Sequence, residues 1–191
     1  MKKIILLLLA ICSASQFFAQ EITGTQLLDK AIQFHDPNDN WKTFTGSLFV
    51  TMETPNNPKR TSEIRIDLPN QSFYVKASQG DKTTVYGVTK DVCNIQLNGK
   101  TPTEEEKTSN NLSCDRASMY QNYYTYLYGL PMKLKDAGTI IDENVILKEF
   151  NGKNYLVLKV TYEKEVGKDT WYFYFDPTTY AMEVYQFFKD T

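Results

Sequence analysis

Hydrophobic and polar residues alternate along most of this chain in short runs, a pattern typical of β-strands that bury one face. In one run, Ile64, Ile66 and Leu68 alternate with charged residues. Two further runs flank Asn151 and Gly152, a dipeptide that favours tight hairpin turns. Other runs cover residues 44–52, 73–77, 85–88, 92–97, 170–175 and 181–188. Together they predict about nine strands with short connections, and therefore a curved antiparallel sheet.

Two segments instead have the spacing of amphipathic helices. Apolar residues recur from Leu27 to His35, with Thr25 as the predicted N-cap. A central insert begins at Thr103, which we expect to cap a short acidic turn, and continues as a long helix over residues 113–130. One broad arc of that helix carries Met119, Tyr120, Tyr123, Tyr124, Tyr126, Leu127 and Tyr128. We predict an α+β fold in which the N-terminal helix and the helical insert cover the concave side of the sheet.

The N-terminus has the pattern of a secretory signal peptide. Lys2 and Lys3 precede an apolar run over residues 4–11, and a cleavable region ends at Ala19. Acylation at Cys12 is the alternative, but Ile11 stands where a lipoprotein signal needs a small residue. We therefore predict a signal peptide over residues 1–19 and a single domain over residues 20–191. The expected location is the periplasm, with the outer-membrane surface or the extracellular space as alternatives.

Charge and hydropathy limit the possible partners. The chain has 21 Lys and Arg against 23 Asp and Glu, a net charge of −2. Mild acidity without a basic cluster argues against nucleic acids and anionic membrane surfaces as partners. Apart from the signal peptide, no run is long and apolar enough for a membrane span, so we expect no transmembrane segment.

Cys93 and Cys114 are the two cysteines that remain after signal cleavage. Two cysteines in an oxidising compartment usually pair, and the bond would join a strand to the start of the long helix. Closing a loop of about 20 residues contributes on the order of 3 kcal/mol. Two free buried thiols are the alternative.

The last predicted strand, residues 181–188, raises a question about the sheet edge. An apolar strand at an unprotected edge is an aggregation hazard. Either another strand covers this edge or the sequence given lacks a C-terminal part, and both interpretations remain open.

Several segments resemble a known family. GSLFVTMETPNNPKRTSEIRIDLPNQSFYVKA and FYFDPTTYAMEVYQF resemble strand regions of periplasmic lipoprotein carriers of the LolA type. KAIQFHDPNDNW and YLYGLPMKLKDAGTIID are similar to an uncharacterised family of secreted Bacteroidota proteins related to those carriers. The resemblance implies an incomplete β-barrel with helices as a lid over an apolar face that shelters lipid chains. It also implies a C-terminal extension that this sequence lacks.

In the carriers, an arginine on an early strand holds the lid shut, and Arg60 is the nearest positional match. The alternative for Arg60 is an exposed arginine beside the turn at Asn57 and Pro58. Arg116 is a second candidate for the lid latch, because it falls within the apolar arc of the long helix. Since it lies in the first helical turn, its side chain could equally extend past the helix end to water.

The expected function is an exported binding or carrier protein for a lipid, an acylated protein or another apolar ligand. Five tyrosines on one helix favour a cleft, because each buried hydroxyl needs a partner. For any single aromatic, core packing is the alternative. A ligand-free structural or protein-interaction module of the cell envelope is the alternative function. The candidate lid and cavity residues are Met119, Tyr120, Tyr123, Tyr124, Leu127, Ile64, Ile66, Phe73, Trp171 and Phe173.

The sequence offers little for catalysis or metal binding. His35 is the sole histidine, and it ends a helix, where it can interact with terminal carbonyls. Asp36, Asn38 and Asn40 have the first spacing of a calcium loop, but Trp41 stands where that loop needs glycine. We therefore expect a turn there, and a protein that is not an enzyme and has no cofactor or metal.

Overall fold

The fold is α+β, as predicted, but its strands form two antiparallel sheets instead of one. A computed structural model describes residues 22–90 and 92–189. The predicted signal peptide, residues 1–19, lies outside the described residues. By its contacts the chain divides into two compact units, one containing residues 28–139 and the other residues 22–27 with 140–189. Whether they behave as the single domain predicted above stays a prediction.

The helices are α1 (Gly24–His35), α2 (Glu104–Asn110) and α3 (Cys114–Tyr128), and short 3-10 turns cover Asn40–Thr43 and Met132–Lys135. The strands of the first sheet are β1 (Thr45–Thr54), β2 (Asn57–Asp67), β3 (Ser72–Gln79), β4 (Lys82–Thr89) and β5 (Val92–Leu97). Those of the second are β6 (Thr139–Ile141), β7 (Ile146–Phe150), β8 (Lys153–Tyr162), β9 (Thr170–Phe175) and β10 (Met182–Phe188).

The first sheet is a meander in which each strand pairs with the next along the chain. Its register aligns Ile64 with Val75, and Val75 with Tyr86. These three side chains share one face and are at most 3% exposed. Ala117 and Tyr124 of α3 belong to the same buried cluster, so α3 packs on this face. The alternation seen in the sequence therefore identifies the buried face correctly.

The second sheet has the order β10-β9-β8-β6, and β7 also pairs with β8. One buried cluster of this sheet contains Tyr155, Val157 and Tyr174. Further buried residues of β8 and β9 are Leu158, Val160, Phe173 and Phe175. The expectation of one continuous sheet was wrong. The strand that follows the helical insert, β6, pairs with β8 and not with β5. Alternation reveals which residues are strands, but the partner of each strand depends on long-range packing.

The helix starts follow capping chemistry, with one correction. Thr103 caps α2 as predicted: it accepts a bond from the Glu106 N–H at 3.2 Å, and the Glu106 carboxylate accepts one from the Thr103 N–H at 2.8 Å. For α1 the predicted cap at Thr25 was wrong. Thr23 fills that role with Gln26, in a reciprocal pair of 3.3 and 3.1 Å.

Asp36, just after α1, forms the turn that the sequence predicts. Its carboxylate is buried and accepts hydrogen bonds from the backbone N–H groups of Asn40 and Trp41 at 2.7 and 2.8 Å. Both carboxylate oxygens thus serve the start of the 3-10 turn Asn40–Thr43.

Candidate ligand-binding cleft

The contact between α3 and the first sheet is narrower than the tyrosine-lined arc predicted. Only Ala117 and Tyr124 of this helix are buried, and Tyr120 is partly buried against the same cluster. Met119 and Tyr123 are 50% and 55% exposed. Residues 117, 120 and 124 form one stripe at helical spacing, whereas the rest of the arc projects to the side of the contact. The tyrosine-lined arc therefore contacts the sheet over only part of its width.

Both ends of α3 are fixed on the first unit. At its start, Cys114 is bonded to Cys93 of β5, with the two Cα atoms 5.7 Å apart. The predicted disulfide is thus confirmed. At its end, Gly129 lies so close to the Trp41 ring that an added Cβ would come within 2.4 Å of a ring carbon. The helix is held at two points, and the segment between them lies over a cleft.

This cleft lies between α3 and the strands β1 and β2, and its volume is about 490 Å³. That volume falls within the range of small-molecule sites. All five helix residues predicted for the lid line it. The lining residues are Val50, Thr51, Met52, Arg60, Ser62, Met119, Tyr120, Tyr123, Tyr124, Leu127 and Tyr128.

Stacked tyrosine rings form the helical wall of the cleft. Tyr120, Tyr124 and Tyr128 are four residues apart, and successive ring centroids are 6.1 Å apart with nearly parallel planes. Tyr86 of β4 extends the row, 5.5 Å from Tyr120. Burial raises the pKa of the Tyr124 phenol, opposed by the nearby charge of Arg60 and by a hydrogen bond with Ser62. The Tyr124 phenol is therefore neutral at ordinary pH.

Both candidate latch arginines contact this wall. The guanidinium carbon of Arg60 lies 5.4 Å from the Tyr120 ring centroid, and that of Arg116 lies 5.7 Å from the same point. A hydrogen bond with Tyr120 raises the pKa of the Arg116 guanidinium. Burial raises the pKa of Tyr86, against the charges of Arg116 and Arg60. Two permanent positive charges therefore flank one tyrosine ring at the edge of the cleft.

The other predicted cavity residues lie elsewhere. Ile64, Ile66 and Phe73 are at most 2% exposed and belong to the packed core of the first sheet. Trp171 and Phe173 lie on β9 of the second sheet, stacked 5.9 Å apart, and they line neither this cleft nor the smaller one described below. Alternation identifies inward-facing residues, but it does not show how far the helix covers that face.

Sequence reasoning missed several of the residues that line the cleft. Val50 and Met52 fall within the predicted run 44–52 but were given no role in the site, and neither was Ser62. Ser62 is buried at 6% exposure on the same face of β2 as Arg60 and Ile64. A small hydroxyl residue on the strand face that carries Ile64 and Ile66 was the available signal.

An ionic cluster on the second sheet has a different character. The Lys153 ammonium lies 2.7 and 2.9 Å from the two carboxylate oxygens of Glu183 and 2.9 Å from Asp176. The Tyr155 hydroxyl also donates to Glu183, at 3.0 Å. Hydrogen bonds with Glu183 and then Asp176 raise the pKa of Lys153, and the bond from Lys153 is the main cause that lowers the pKa of each carboxyl. Every charged group in this cluster has a partner.

Fold and site define an α+β protein with two antiparallel sheets and a cleft under a disulfide-anchored helix. The model of a family of unknown function, DUF6503, matches residues 2–191, so the chain belongs to that family. No curated protein and no solved structure matches it. Within the described residues, no helix has both the length and the apolar character needed to cross a membrane.

Proposed function

We propose that this protein is an exported carrier or binding protein that holds a lipid, an acylated protein or another apolar ligand between the first sheet and α3. The observation that carries the proposal is the cleft of about 490 Å³. Its volume suits a small ligand, and apolar side chains from both the sheet and the helix line it.

The exposed apolar groups around this cleft support the proposal. Met52, Met119 and Tyr123 are 44%, 50% and 55% exposed, and all three line the cleft. Clustered exposed apolar side chains mark binding sites more often than isolated ones do. A ligand that covers them would gain about 0.8 kcal/mol for each buried methylene group.

The proposal includes the LolA-type architecture, an incomplete barrel with a helical lid. Its support is the order of elements, with strands before and after the helical insert, and the contact of Arg60 with Tyr120 of α3. An arginine on an early strand that touches the helix is the arrangement that the carrier resemblance implies for a lid latch.

The proposal also includes export to the cell envelope, because of the charged start and the apolar run over residues 4–11. The mass of the mature protein tests this directly. Cleavage after Ala19 would leave Gln20 as the first residue, whereas an unprocessed chain in the envelope would contradict the predicted signal peptide.

Native mass spectrometry of the protein purified from its own envelope fraction tests ligand binding. We expect a fraction of the protein to carry one bound lipid. Met119→Glu should reduce this fraction, since a carboxylate in the apolar cleft disfavours a lipid chain. Leu147→Glu is the matched control, because Leu147 is also exposed, at 65%, but lies on β7. A ligand-free spectrum, with no uptake of added lipid, would refute the proposal.

The exposed face of α3 also favours a second candidate, a ligand-free interaction module. Met119, Tyr123 and Tyr128 are exposed and could contact an envelope protein. Photo-crosslinking from position 123 would distinguish the two: this candidate requires one protein adduct and no bound lipid. Neither role needs a catalytic group, so His35→Ala should leave both unchanged.

A further inference from the structure

A second, smaller cleft of about 210 Å³ adjoins the apolar one on the first sheet. The two share Met52, Arg60 and Tyr120 as lining residues. The second cleft also contains Lys82 and Arg116. The two clefts together form one space with two chemically different arms. Apolar and aromatic groups mainly line one arm, and three cations line the other.

The register of the sheet explains this division. Met52 pairs with Arg60, Arg60 with Gln79, and Gln79 with Lys82, so these four residues form one row across β1 to β4. Neighbouring strands are about 4.8 Å apart. Arg60 therefore stands between the apolar arm beside Met52 and the polar arm beside Gln79 and Lys82.

The cations of the polar arm lack carboxylate partners within the described part of the chain. None of the ion pairs found there includes Arg60, Lys82 or Arg116. Among described residues, neither cleft is lined by Asp or Glu. Because the whole chain has more acidic than basic residues, this local excess of positive charge is a specific feature of the site.

Positive charges gathered in a partly desolvated cleft repel one another and attract an anion. The planar guanidinium group is also suited to the two oxygens of a carboxylate or to those of a phosphate. Resting on the proposed function, we propose that the ligand is a single-chain anionic amphiphile. Its acyl chain occupies the apolar arm, and Arg60, Arg116 and Lys82 bind its carboxylate or phosphate head.

The test compares three probes with the same chain and different heads: dodecanoic acid, dodecyl phosphate and dodecanol. The full chain, stripped of bound lipid, is titrated with each by calorimetry. We expect the two anionic probes to bind about 10- to 100-fold more tightly than the alcohol, the gain of one or two charge-assisted hydrogen bonds. The tighter of the two anions identifies the head as carboxylate or phosphate.

The double variant Arg60→Gln with Arg116→Gln should bring the affinity for the two anionic probes close to the affinity of the same variant for dodecanol. Arg65→Gln is the matched control. Arg65 lies on the same strand as Arg60, also stacks on a tyrosine, Tyr74, at 5.0 Å, and already pairs with Glu63. It is exposed on the opposite face of β2, so its loss should not alter the preference.

The outcomes separate this inference from the proposed function. Equal binding of all three probes, or a preference that survives in the double variant, would overturn the anionic head site and leave the apolar cleft intact. Binding of none of the probes would overturn both. Loss of the anion preference in the Arg65→Gln control would show a general effect of charge and also count against the site.

Discussion

Two groups of cationic side chains in this protein have different partners, one group beside the tyrosine-lined cleft and the other on the second sheet. On the second sheet, Lys153 contacts two carboxylates, Asp176 and Glu183, within 2.9 Å. Beside the cleft, Arg60 and Arg116 both contact the ring of Tyr120, and no described carboxylate pairs with them. A chain with 23 acidic residues could supply such partners, as it does for Lys153. Under the proposal above, the first group binds the head of a ligand, whereas the second stabilises the fold.

The two regions also differ in the bonds that hold them. A disulfide fixes α3 on the first sheet, whereas hydrogen-bonded ion pairs join β8 to β10 and to the turn after β9 on the second. Reductants cleave disulfide bonds, whereas a change in pH weakens an ion pair by removing the charge of one partner. Each region should therefore lose stability under a condition that affects the other much less.

The largest expected effect follows loss of the disulfide. Replacing Cys93 and Cys114 together with serine removes a cross-link between residues 21 positions apart. The free energy of unfolding should fall by about 3 kcal/mol. Amide hydrogen exchange should rise in α3 and β5, which the bond connects, and much less in β8 to β10.

Urea unfolding measures the loss, and exchange followed by mass spectrometry locates it. A reductant should reproduce both results in the unaltered protein and have no further effect on the double variant. If exchange rose equally in both sheets, the claim that the disulfide acts locally on α3 and β5 would be wrong.

Gly129→Ala should be the next most disruptive change. An added methyl group would overlap the Trp41 ring and the Lys133 stem at the end of α3. Overpacking of this kind costs about 1–3 kcal/mol. Urea unfolding checks the loss, and Trp41→Leu in the same chain should recover part of it, because a smaller side chain makes room. If stability does not recover, the loss comes from the backbone of Gly129 and not from the contact with Trp41.

The sequence predicted local structure well because local structure depends on neighbouring residues. Alternation identified nine of the ten described strands and missed the three-residue β6, and the helical spacing identified α1 and α3. Thr103 was recognised as a cap, but Thr25 was chosen where Thr23 acts, since both threonines precede the same apolar run and only the backbone path distinguishes them. The division into two sheets could not be predicted, because β6 could pair with either edge as far as alternation shows.

The candidate site was predicted only in part, because the sequence shows local periodicity but not long-range packing. The residues of α3 were identified from their common arc, and they do line one cleft. Ile64 and Phe73 were grouped with them, although they lie in the packed core, because inward-facing positions of a strand look alike in sequence, whether a helix or an open cleft lies above them. The row from Met52 to Lys82 was missed, since it depends on the register of four strands.

Replacing Lys153 on the second sheet tests the difference between the two groups of cations through the pH dependence of stability. Lys153→Met removes the cation that lowers the pKa of Asp176 and Glu183, so the variant should be less stable at neutral pH. A lowered folded-state pKa adds stability above the unfolded values, about 3.9 for Asp and 4.3 for Glu, and that stability is lost as pH falls below them. The unaltered protein should thus lose more stability in acid than the variant does.

Urea unfolding midpoints at several pH values between about 6 and 2 measure this difference. Some acid sensitivity should persist in the variant, because the Asp176 carboxylate still accepts bonds from the N–H groups of Thr178 and Thr179 at 2.9 and 2.8 Å. Lys153 adds the opposite dependence at high pH. Its raised pKa stabilises the fold below the unfolded value of about 10.4, and this contribution disappears as pH rises through the folded value. Identical acid profiles for the two proteins would contradict the assigned role of the cluster.

The smallest expected change is that of Arg60→Met, the counterpart of Lys153→Met on the first sheet. Methionine keeps much of the apolar stem, no described carboxylate loses a partner, and the main contact removed is that with the Tyr120 ring. The free energy of unfolding should therefore fall by no more than about 0.5–1 kcal/mol, with little dependence on pH. Urea unfolding of the lipid-free chain at neutral and acidic pH measures this. A loss well above that range would show that Arg60 mainly stabilises the fold, and the contrast between the two groups of cations would then be wrong.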